Sequence, residues 1–157
     1  MDPKKLAALR SRLSVPVVAP GKASLLYCLT LAGRFALVAP PGGVARGRAF
    51  VRECGLERHC VSVDAVPAGD VGPDGTADAV AAAVRAGAEA VCLGDPALRE
   101  HADAVRRGAA VPVVEPFAFA VAWTESLLAL GLAHSRRAYP APMVVKDDLL
   151  RDLVRHA

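Results

Sequence analysis

Phe35-Ala36-Leu37-Val38-Ala39, followed by Pro40-Pro41-Gly42-Gly43 and then by the helical spacing of Val44 to Cys54, decides the fold. A short unbroken apolar run, a turn of Pro and Gly, and three turns of helix read as strand, loop and helix. The unit recurs on both sides. Downstream, strands are expected over Cys60 to Val66, Ala90 to Leu93 and Val111 to Val114, with helices over Ala77 to Ala86, Pro96 to Arg107, Phe117 to Leu130 and Asp147 to His156. Upstream, Lys4 to Leu13 and Lys22 to Ala32 read as helices around a strand at Val15 to Val18. Short apolar strands alternating with helices predict βαβ crossovers, hence an α/β fold: a mostly parallel, doubly wound sheet with helices on both faces.

Ligands of such sheets bind beyond the carboxyl ends of the strands, which directs attention to the loops after Val18, Ala39, Val66, Leu93 and Val114. Gly42 and Gly43, ahead of a helix, could turn backbone N–H groups toward an anion such as a substrate carboxylate. A plain tight turn is the simpler reading, and the loop lacks the GxxxxGK[ST] pattern of a P-loop. Ala68 to Gly75 reads as a long polar connection, either a solvated loop or a lid.

A length of 157 residues fits one domain able to bury a core without staples. The net charge of +3 is spread from Arg10 to Arg155 with no aromatic-studded basic patch, so nucleic acid is not an expected partner. Met1-Asp2-Pro3-Lys4-Lys5 lacks the apolar core of a signal peptide, so the chain is expected to stay in the cytoplasm. Its most apolar run, Phe117 to Leu132, is 16 residues and contains Thr124, Glu125 and Ser126, where a membrane span needs about 20 apolar residues. That run is apolar on more than one face, which predicts a homo-oligomer or a partner chain. Cys28, Cys54, Cys60 and Cys92 form no CxxC pair, so free thiols and no metal site are expected, although Cys54, His59 and Cys60 can be drawn as ligands. Gly55 reads as the C-cap of the helix ending at Cys54.

An internal repeat adds information. Asp2-Pro3, Val15-Pro16-Val17-Val18-Ala19-Pro20 and a helix ending near Gly33 recur as Asp95-Pro96, Val111-Pro112-Val113-Val114-Glu115-Pro116 and a helix ending near Gly131. The six-residue blocks differ only at Ala19 and Glu115, which implies two pseudo-equivalent units. The second is preceded by the strand Ala90 to Leu93, whereas the strand expected before Asp2 is absent.

These blocks, together with Gly21-Lys22-Ala23-Ser24, Ala90-Val91-Cys92-Leu93-Gly94 and Ser135-Arg136-Arg137-Ala138-Tyr139, resemble the Asp/Glu/hydantoin racemase superfamily from Asp2 to about Tyr139. The resemblance implies two α/β lobes with a site between them, no cofactor, and two cysteines exchanging a proton on opposite faces of a planar carbanion. The first family cysteine is expected just upstream of Asp2, before this chain begins. The second normally follows Leu-Gly, a slot held here by Asp95. A second alignment, anchored on Asp95-Pro96-Ala97-Leu98, sets Cys92 level with the first family cysteine, and both remain open at this point.

The candidate catalytic residues are therefore Asp95 and Cys92, against the plainer readings of a helix cap and a core thiol. Gly42, Gly43 and Ser24 are candidate substrate-binding residues, with Ser24 equally readable as a helix-start residue. The expected function is cofactor-independent proton transfer, as isomerase, racemase or lyase, on a small carboxylate or carbonyl compound. The alternative is a non-catalytic subunit or ligand-binding relative that works only with a partner chain. A single domain is expected, with its core at 34–116, second-lobe remnants at 2–33 and 117–132, and a tail at 133–157.

Overall fold

The computed structural model describes residues 3–142, so the helix expected over Asp147 to His156 lies outside the described residues. In chain order these form α1 (Pro3–Arg12), α2 (Pro20–Leu31), β1 (Phe35–Ala39), α3 (Val44–Glu53), β2 (Cys60–Ala65), α4 (Pro73–Arg85), β3 (Ala90–Leu93), a 3₁₀ helix (Pro96–His101) leading into α5 (Ala102–Gly108), β4 (Val113–Val114) and α6 (Pro116–Ala129). They divide into two compact units, one of residues 20–120 and one of the described residues before 20 and after 120.

In the unit of residues 20–120 the strands form one parallel sheet in the order β2-β1-β3-β4. Both central strands are buried at every position, as continuous apolar runs require when helices cover both faces. On one face Leu25 and Cys28 of α2 and Val51 of α3 pack with Phe35, Leu37, Val63, Ala90 and Cys92. On the other, Ala79, Val80 and Ala83 of α4 and Leu98, Ala102 and Val105 pack with Ala36, Val38, Val91 and Leu93. The period of two along β3 thus sends Cys92 to one layer and Leu93 to the opposite one. Leu25 and Leu93 are fully buried, and each such side chain contributes roughly 1.5–3 kcal/mol of transfer free energy. The helix α2, read from sequence as part of a second-lobe remnant over 2–33, is in this unit because its Leu25 and Cys28 complete the core.

Three local expectations change. Ala68 to Gly75 is not one long loop: α4 begins at Pro73, with Gly75 and Thr76 buried and the Thr76 hydroxyl donating to the Gly72 carbonyl at 2.8 Å. Proline at the first helical position and Asp74 in the first turn are start signals that the glycine content obscured. The strand expected over Val111 to Val114 shortens to Val113–Val114. The strand expected at Val15 to Val18 does not form.

That last segment lies in the other unit, where its backbone groups bond to side chains. The Val17 N–H donates to Nε2 of His134 at 2.6 Å, and Nε of Arg10 donates to the Val17 carbonyl at 3.1 Å. With both groups satisfied off-ladder, no strand partner is needed. Arg136 donates to the carbonyls of Ser11 and Leu13, each at 2.7 Å, and so closes the C-terminal end of α1. The two repeat blocks agree instead in how the following helix starts, with Pro20 opening α2 and Pro116 opening α6.

Candidate active site at the carboxyl ends of β1 and β3

From β1 the chain passes through α3 to β2 on one side, and from β3 through α5 to β4 on the other. The loops after β1 and β3 therefore diverge and open a crevice at the topological switch point, where sheets of this class take their ligands.

Gly94 sets the shape of the crevice at β3. Its N–H donates to the Val38 carbonyl at 2.6 Å, and a Cβ on it would lie 2.8 Å from Cδ1 of Leu37 and 3.1 Å from the Val38 oxygen. Only glycine lets β3 cross so close to the end of β1. The next residue, Asp95, has extended backbone angles (φ −144°, ψ 142°), and its Oδ1 accepts the Ala97 N–H at 3.0 Å. It is thus the cap of the 3₁₀ helix, as one sequence reading held. Its Oδ2 is 3.1 Å from an Nη of Arg46, in the first turn of α3. The carboxylate side chain keeps 22% exposure and the guanidinium 77%. Asp95 is accordingly both a cap and an accessible anion with a cation beside it.

At the neighbouring strand end Gly42 turns the chain with φ +74°, a conformation that favours glycine. Gly43 is buried, and its N–H donates to the Pro40 carbonyl at 2.9 Å within the turn. The ion pair between Arg46 and Asp95 links the first turn of the helix after this loop to the end of β3.

The structure places the other two candidates elsewhere. Ser24 is buried in α2, where its hydroxyl donates to the Pro20 carbonyl at 2.7 Å, a bond within its own helix. Cys92 is 1% exposed inside the core layer of α2 and α3. A side-chain hydrogen bond with Cys28, burial, and the charges of Cys28 and Glu115 push its thiol well above the ordinary range. A thiol so placed resists forming the thiolate that proton abstraction needs. Burial is also the main cause that raises Cys54 and Cys60, and all four cysteines are unbridged.

Two residues escaped the sequence reading. Arg46 stands at a helix N-terminus, where a cation opposes the helix dipole, and that misplacement is the signal that an anion lies nearby. Glu115, the one difference between the repeat blocks, is 3% exposed. Its two oxygens accept the Phe117 and Ala118 N–H groups at 2.8 and 2.7 Å, so it caps α6 with no oxygen left unbonded.

The structure is thus a parallel α/β unit with a carboxylate and a guanidinium paired at its topological switch point. The chain belongs to the Asp/Glu/hydantoin racemase family, whose model matches residues 2–124. Among solved structures, an allantoin racemase from Klebsiella pneumoniae superposes with a TM-score of 0.78 at 25% identity, over 90% of this chain and 62% of that one. An allantoin racemase from Pseudomonas fluorescens superposes with a TM-score of 0.74 at 29% identity, over 90% of this chain and 65% of that one. The chain thus spans less than two thirds of the length of either. No curated protein sequence matches it.

Proposed function

We propose that the chain is a cofactor-independent proton-transfer protein acting on a small ring amide or ureide with an acidic C–H beside a carbonyl, with Asp95 as the base. The single observation behind this reading is a partly exposed carboxylate at the switch-point end of β3, in the slot that the family resemblance reserves for a cysteine. Family membership and the likeness to two allantoin racemases favour substrates of the hydantoin and allantoin type.

Inversion needs an acid and a base on opposite faces of a planar carbanion. Asp95 supplies one face only, and Cys92 is buried in the core. Alone, the chain should exchange the acidic hydrogen with solvent faster than it inverts the centre. A partner chain carrying the second group would complete a racemase.

The test incubates the purified chain with single enantiomers of allantoin and of a 5-substituted hydantoin in D₂O, and follows deuterium uptake by NMR and optical rotation in parallel. Uptake that outruns loss of rotation supports the reading. Absence of catalysed uptake on every such substrate overturns it.

A further inference from the structure

Carboxylates are weaker bases than thiolates by about four to five pKa units. A carboxylate that replaces a thiolate can remove a proton beside a carbonyl at a useful rate only if the developing enolate charge meets an electrophile in the same site. Arg46 meets that requirement. Its Nη lies 3.1 Å from Oδ2 of Asp95, and its guanidinium is 77% exposed beside the carboxyl ends of β1 and β3. A guanidinium has five N–H donors. Among the described residues, the one hydrogen bond recorded for Arg46 is that to Asp95. It stands at a helix N-terminus, where its charge has a favourable electrostatic setting only while an anion is beside it.

Resting on the function proposed above, we propose that Arg46 is a second catalytic residue, donating to the substrate's carbonyl oxygen while Asp95 takes the proton from the adjacent carbon. The C–H bond breaks and its electron pair forms the C=C bond of an enolate. The carbonyl π pair moves to the oxygen, which Arg46 holds. The proton rests on the Asp95 carboxyl, exchanges with water and returns to carbon, so no oxidant, reductant or metal enters the balance. The substrate class narrows accordingly to compounds whose acidic carbon and carbonyl oxygen can be met together by a contiguous carboxylate and guanidinium.

Two measurements test this. In the deuterium-exchange assay, Arg46→Gln should lower kcat by about 100-fold or more with KM changed less than about threefold, the pattern of an interaction made in the transition state. Millimolar guanidinium should partly rescue Arg46→Ala. In a separate binding titration, barbiturate serves as a planar ring enolate that needs no turnover. Arg46→Gln should weaken barbiturate binding at least tenfold, whereas Asp95→Asn, which removes a like charge and frees Arg46, should bind it no less tightly than the parent. Turnover in the parent with undiminished kcat in Arg46→Gln overturns the role of Arg46 and leaves the proposed function standing. Arg46-dependent barbiturate binding with no exchange in the parent overturns the proposed function and keeps Arg46 as the enolate-oxygen site. Barbiturate binding that is absent or indifferent to Arg46 counts against the assignment in either case.

Discussion

His134 accepts the backbone N–H of Val17 through Nε2 at 2.6 Å, and it can do so only while that nitrogen is unprotonated. Arg10 donates to the carbonyl of the same Val17 and to the Tyr139 hydroxyl, and Arg136 donates to the end of α1. The imidazole therefore sits among two guanidinium groups and a donor, a setting that suits its neutral form.

Partial burial first, and then the charges of Arg10 and Arg136, hold His134 below its ordinary value near 6.5. With the folded value depressed, the unfolded chain binds the proton first. The stabilisation is fully present above pH 6.5 and is lost as pH falls from there through the folded value. The protection of the Val17 amide against exchange, taken relative to its intrinsic rate at each pH, should fall over that window. His134→Gln, which keeps an acceptor but does not titrate, should show a flatter profile, and identical profiles would refute the clasp.

Asp95→Asn separates cap from base. Asparagine caps about as well as aspartate, and an ion pair with a partner as exposed as Arg46 is worth little, so stability should change by less than about 1 kcal/mol. Proton exchange should fall by roughly 10²–10⁴-fold, the usual contribution of a general base. A melting curve and an exchange rate on one sample check both halves.

Gly94→Ala should damage fold and site together. The added methyl meets Leu37 and the backbone oxygen of Val38 at 2.8–3.1 Å, and overpacking of this kind costs about 1–3 kcal/mol. Chemical denaturation should show a lower midpoint with an unchanged slope.

The thiols should differ sharply in reactivity. Cys28 and Cys92 are fully enclosed, whereas Cys54 and Cys60 are partly exposed with thiols raised by burial. Alkylation of the native protein near neutral pH should label Cys54 and Cys60 slowly and leave Cys28 and Cys92 unmodified until denaturant is added. Rapid native labelling of Cys92, read by peptide mass, would restore it as a candidate nucleophile or base.

We also propose self-association through α6 and the residues just after it. Val121 is 60% exposed, Leu128 52% and Leu130 71%, an apolar surface of the kind that marks interfaces. Sedimentation at micromolar concentration should give a mass above the 16.2 kDa chain, and Leu128→Lys with Leu130→Lys should lower it. A strictly monomeric parent would count against the idea.

Much of the fold was legible along the chain because short-range chemistry carries it. The apolar runs of β1 and β3 match their sequence-read bounds at both ends, since full burial leaves no polar residue inside them. Gly55, with φ +73° just past the cap residue Cys54 of α3, closes that helix as its residue type foretold. The slot of Asp95 after Leu93-Gly94 was equally visible, and it falls at a strand end as expected.

Tertiary structure decided the rest, because backbone satisfaction and side-chain pairing join residues far apart in sequence. Val15 to Val18 has the same strand-like sequence as Val111 to Val114. Yet β4 finds β3 as a neighbour, whereas Val17 bonds to Arg10 and His134. Nothing local to Cys92 indicates that Cys28 of α2 lies against it, and that contact makes it a core thiol with a suppressed thiolate. Likewise the pairing of Arg46 with Asp95, 49 residues apart, arises only once β1 and β3 lie side by side and bring the start of α3 to the end of β3.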